Sequence, residues 1–202
     1  MNVNRRLFNL FIVIYSFLLI VNPLSAQSLR SGRETLLTAS GISLMAWGMA
    51  SNDNIVPLTE AQLENASSFN GFWLDRFSLA KWNPTADNVS DYLAATAGLL
   101  PLITFADAAY QEDFSVQTVI WLETNMLNIG SNWIIKNMVQ RKRPYTYNSQ
   151  VPINVKYQAD AQRSFYSLHT AFAFSNSVLF ARYLAQKQPA NKGLIWIGAL
   201  LP

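Results

Sequence analysis

Residues 114–135 read FSVQTVIWLETNMLNIGSNWII. The stretch holds one charged side chain, Glu123, and no strand-like alternation, so it reads as a long, mostly apolar helix. Similar runs flank it. Residues 35–52 contain no Lys, Arg, Asp or Glu; residues 92–106 lie uncharged between Asp91 and Asp107, with Pro101 inside; residues 164–181 are again uncharged, and 193–202 begin a fifth run. Between them, 53–90 and 144–163 are polar, carry Pro57, Pro84, Pro144 and Pro152, and read as loops. Five apolar runs without a period-two segment predict an all-α helical bundle.

Half of the 202 residues are hydrophobic and only 13% are charged, against roughly a quarter in ordinary soluble domains. Mean hydropathy is +0.11. The bundle is therefore expected to be membrane-embedded, with a water-soluble bundle as the alternative, since the runs are close to the roughly 20 residues a span requires. Glu123 then needs a partner or a polar cavity. At the N-terminus, Arg5 and Arg6 precede the apolar stretch 7–21 and then Pro23, Ser25 and Ala26. This order predicts a signal peptide over 1–26, or an uncleaved anchor, and delivery to a bacterial cell envelope.

The chain has no cysteine and one histidine, His169, which excludes thiolate chemistry and a multi-histidine metal site. Net charge +3 conceals an asymmetry: residues 1–135 carry −5 and residues 136–202 carry +8, with Asp160 the one acidic residue of the latter. An anion is expected to be met in this basic third.

Lys136 and Arg143 stand seven residues apart, just before Pro144. On a continuous helix they would lie within about 20° of one another, a clamp for phosphate or another tetrahedral oxyanion. Ser167 is an N-cap candidate for the fourth apolar helix, whose first-turn amides and dipole favour an anion. His169, in that first turn, could protonate a leaving group. Plainer readings exist for each: a basic juxtamembrane loop for the cations, a cap or surface residue for the serine and the histidine.

The joint order decides between them. Lys136-x6-Arg143-Pro144, followed by Ser164-Phe165-Tyr166-Ser167-Leu168-His169, resembles the first two motifs of the type 2 phosphatidic acid phosphatase (PAP2) superfamily, Lys-x6-Arg-Pro and Pro-Ser-Gly-His. The second departs from the pattern at Tyr166 and Leu168. The resemblance implies a PAP2-type bundle over 27–202, with phosphate bound by Lys136, Arg143, Ser167 and the amide of Leu168, and His169 as general acid. It implies no metal and no cofactor. The family's third motif, Ser-Arg-x5-His-x3-Asp, supplies a histidine that becomes phosphorylated, and no histidine follows His169. A C-terminally truncated, catalytically incomplete phosphatase is therefore expected. Its family acts on lipid phosphomonoesters or diphosphates, here at the inner membrane with the site facing the periplasm. The alternatives are a non-enzymatic membrane protein binding anionic headgroups and a fragment of a soluble periplasmic acid phosphatase. No nucleic-acid partner is expected.

Overall fold

The computed structural model describes residues 29–64, 76–79, 82–107 and 114–200. The expected signal peptide over 1–26 lies outside them. Every regular element among the described residues is helical. The five longest are α1 (Ser31–Asn52), α2 (Pro84–Leu99), α3 (Phe114–Val139), α4 (Leu168–Lys187) and α5 (Lys192–Ala199). Short helical turns occupy Glu60–Glu64, Arg76–Leu79, Pro144–Tyr147, Ile153–Lys156 and Ala159–Gln162.

Four apolar runs became helices close to their expected limits, and the second divided. Helix α2 begins inside the stretch expected to be loop, because Asn83 accepts from the amides of Thr85 (2.9 Å) and Ala86 (3.4 Å) and Pro84 occupies the first turn. It ends at Leu99, where Pro101 removes a donor and the chain tightens into a 3-10 segment, Leu100–Ala106.

Helix α3 is the axis of the bundle: α1 packs along one side of it and α4 along another, while α2 and α5 pack on α4. The α1 contact is backbone-close. A Cβ at Gly130 would stand 2.7 Å from the amide nitrogen of Met45 and 2.8 Å from the carbonyl carbon of Leu44. Gly41 and Gly48 face Met126 and Trp133 in the same way.

The contact with α4 is polar. Asn125, Asn128 and Asn132 recur at helical spacing on α3. Asn176 Nδ2 donates to Asn125 Oδ1 (2.8 Å), and Asn128 Nδ2 donates to the Ala171 carbonyl (3.0 Å) and to Ser175 Oγ (2.9 Å). Asn132 Nδ2 donates to the carbonyl of Tyr166 (2.9 Å) and so fixes the loop that leads into α4. Among the described residues, Asn132 and Asn176 are the largest fully buried side chains. This polarity bears on the membrane expectation: among the described residues no helix is long and apolar enough to cross a membrane. The apolar runs hold almost no charge, but the amides and hydroxyls that make the seam lower their hydropathy.

Glu123 finds its partners on α1. Thr38 Oγ1 donates to Glu123 Oε1 (2.7 Å), and Glu34, itself bonded by Arg33 Nε (2.7 Å), shares a hydrogen bond with it. Burial and the neighbouring Glu34 raise the pKa of Glu123. Burial also works to raise Glu34, but the hydrogen bonds and charge of Arg33 outweigh it and hold Glu34 low. Glu123 thus favours its proton in the fold, and the stability linked to it falls as pH rises from 4.5 through its raised value. Glu123→Gln, which keeps a hydrogen-bonding head, is expected to flatten that fall in melting temperature. Gly130→Ala is expected to cost about 1–3 kcal/mol in denaturant unfolding, because the added methyl meets backbone.

Candidate functional site

Helix α3 ends at Val139, earlier than the one-face reading of Lys136 and Arg143 requires. Gln140 takes a positive φ of 45° and its amide closes on the Lys136 carbonyl (3.0 Å), so the chain leaves the helix there. Arg143 is extended, with φ −71° and ψ 145°. The two cations therefore do not share a helical face; a turn, rather than helical periodicity, brings them together. Pro144 starts the 3-10 turn after Arg143 instead of ending the helix.

The segment 159–164 returns alongside this turn. The Arg143 amide donates to the Ala161 carbonyl (2.7 Å) and the Ser164 amide to the Arg141 carbonyl (3.0 Å). Two further charged residues arrive with it. Asp160 takes Arg143 at two points, its carbonyl accepting from Nε (3.0 Å) and its carboxylate pairing with the guanidinium (2.7 Å). Arg163 comes within electrostatic reach of Lys136, and its buried Nε has no hydrogen-bond partner. Burial, and then the nearby Arg143 and Arg163, lower the pKa of Lys136, with Asp160 opposing them. The result is three cations gathered around one carboxylate. Lys142 lies elsewhere, its ammonium bonded to the Gln62 carbonyl (2.8 Å).

Ser167 caps α4, accepting from the amide (3.3 Å) and hydroxyl (3.2 Å) of Thr170. Leu168 is the first helical residue and His169 the second, as the sequence suggested. Both nitrogens of His169 are engaged by α2: Nδ1 with Ser90 Oγ (2.9 Å) and Nε2 with Asp91 Oδ1 (2.9 Å). The imidazole remains 40% exposed.

Tyr145 joins the two halves electrostatically. Burial raises its pKa first; Arg143 pulls it down, while Asp160 and Asp87 push it up. Asp87 lies one turn before Asp91 on α2, so Tyr145 is within electrostatic reach both of Arg143 and of the end of α2 that holds His169. Sequence reasoning singled out Lys136, Arg143, Ser167, Leu168 and His169, but not Arg163, Asp160, Ser90 or Asp91 as site residues. The excess of basic residues after 136 pointed toward Arg163, whereas nothing local marks Ser90 and Asp91. Among the described residues no group of three or more acidic or histidine side chains could hold a metal ion.

Residues 117–202 match the family model described as the PAP2 superfamily, so the segment from α3 through α5 carries that family's pattern. It contains the cation cluster and the start of α4; α1 and α2, with Ser90 and Asp91, precede it. Neither a curated protein nor a solved structure matches the chain. A PAP2 segment points to phosphatase-type function on phosphate esters.

A half-buried lysine within reach of two guanidiniums costs folding free energy while it is charged. Because its pKa is lowered in the fold, this cost is present at neutral pH and is relieved as pH rises through the lowered value. Lys136→Met, similar in shape and uncharged, is therefore expected to raise the melting temperature at pH 7. A lower melting temperature would mean that Lys136 has a stabilising partner.

Proposed function

We propose that this protein binds a phosphate ester between the cation cluster and the first turn of α4, as a PAP2-type phosphatase site. Lys136, Arg143 and Arg163 supply the positive field, the Ser167 hydroxyl and the Leu168 amide supply further donors, and His169 supplies the proton for a leaving group. The observation that carries the reading is the charge count: three cations meet one carboxylate, and a dianion is the natural complement. With one histidine in the 202 residues, the family's phosphohistidine route has no acceptor among them.

The ester is read as lipid-borne. Helix α1 turns an uncharged outer face to the surroundings, with Leu36, Ile42, Trp47 and Met49 each more than half exposed, and such a face suits a bilayer interface. On this reading the protein lies against the bacterial inner membrane with its site on the periplasmic side. Impermeant labelling of a cysteine introduced at Ser149 in intact cells tests that sidedness.

Titration calorimetry with orthovanadate, a phosphate mimic, tests the site itself. Binding is expected in the wild type, weakened about tenfold or more by Lys136→Met or Arg143→Ala, because each removes a charge-assisted contact. Arg182→Ala, on the small cavity lined by Pro101, Thr104 and Trp121, should leave it unchanged. Equal affinity in all variants, or no binding to the wild type, would overturn the reading.

A further inference from the structure

Asn132, the seam amide closest to Lys136 along α3, is only half used. Its side chain is 0% exposed, and Nδ2 donates to the Tyr166 carbonyl (2.9 Å). Its Oδ1 is buried and has no hydrogen-bond partner among the described residues. A carbonyl oxygen that gives up water in this way calls for a donor within its reach.

Two unpaired donors lie in this part of the molecule, the Lys136 ammonium and the buried Nε of Arg163. Lys136 follows Asn132 by four residues on the continuous helix α3, so the two share a face with Cβ atoms about 5–6 Å apart. A long side chain on a helix runs back over the turn before it, which lays the Lys136 stem above Asn132. The ammonium offers three N–H groups and makes no hydrogen bond or ion pair among the described residues. A free acceptor in the interior thus lies one turn below a free, half-buried donor of the cation cluster. An anion that takes one or two of those N–H groups displaces water from the rest. The N–H directed back along the helix then has the Asn132 oxygen to meet.

We propose that Asn132 is a positioning residue of the phosphate site, its Oδ1 receiving the Lys136 ammonium when the anion binds. This rests on the phosphate-ester reading. The other arm of the same amide holds the Tyr166 carbonyl, and Tyr166 directly precedes Ser167, the cap of α4. One buried side chain therefore governs the separation between the lysine and the first turn of α4. It touches no substrate and acts through Lys136 and the loop.

The test is a double-mutant cycle in orthovanadate affinity, read by calorimetry on the full chain. Asn132→Ala is expected to weaken binding about tenfold or more in the wild type, the range of a hydrogen bond to a charged group. In Lys136→Met the same change should cost at least about threefold less, because only the hold on Tyr166 is left to lose. In Arg163→Met it should cost as much as in the wild type. Equal losses in the wild type and Lys136→Met would overturn the proposal, since Asn132 would then act on the loop alone. A loss that shrinks in Arg163→Met instead would assign the oxygen to the guanidinium and overturn it as well. A second measurement needs no ligand and covers an Asn132→Ala variant that fails to fold. Asn132→Asp sets a carboxylate one turn from Lys136 and should move the lysine's titration about one pH unit higher. The readout is Cε NMR, with the signal assigned by its loss in Lys136→Met. An unmoved titration would sink the shared face and the proposal with it. The two readings fail separately: orthovanadate binding without coupling removes the role of Asn132 and keeps the phosphate site. A shifted titration without binding removes the phosphate site and keeps the pairing of Asn132 with Lys136.

Discussion

The amide seam on α3 is the constraint from which the site follows. Asn125, Asn128 and Asn132 meet Asn176, Ala171, Ser175 and Tyr166 through hydrogen bonds that are directional where apolar packing is not. Sliding α4 by one residue would strand several buried amides at once, each at a cost of about 1–3 kcal/mol. The seam therefore sets the register of α4, and with it the position of Ser167, Leu168 and His169. On the opposite side, Gly130 lets α1 approach to backbone contact and leaves α3 little freedom to rotate. A bundle with few large apolar side chains in its interior is made specific by amides and glycines.

The long helices were legible because charge is absent over runs of 15 to 18 residues, and interrupted only by Glu123 over 114–135, a pattern that survives in a single sequence. The start of α2 was obscured by its polar residues, although Asn83-Pro84 is a cap followed by a first-turn proline. The runs lack charge, yet among the described residues no helix is long and apolar enough to cross a membrane, because amides and hydroxyls occupy part of each run. Lys136 and Arg143 were legible as a pair through their spacing, yet the helix does not reach Arg143: the turn at Gln140 intervenes. Arg163 and Asp160 depend on a loop returning to that turn, and Ser90 and Asp91 on two helices packing side by side. No local pattern encodes either.

The electrostatics of the basic third follow from a shortage of anions. Asp160 is the one carboxylate after residue 136, and it is committed to Arg143 at two points. Burial and the neighbouring Arg143 lower the pKa of both Lys136 and Arg163, against the opposing pull of Asp160. Such a cluster stays folded because the surrounding helices hold it, so its strain is relieved when an anion enters. Stability and occupancy are linked through the same residues.

Ser90 and His169 are 79 residues apart in sequence, and their hydrogen bond closes a loop that contains the whole of α3. A contact of that span carries a large closure entropy and forms only after the helices between its ends are in place. It joins half-exposed side chains and is among the first contacts a thermal fluctuation can open. The contact is thus assembled late and released early. Chemistry at His169 would be lost on warming before the amide seam gives way, and the histidine would report on partial opening that the helix content of the protein conceals.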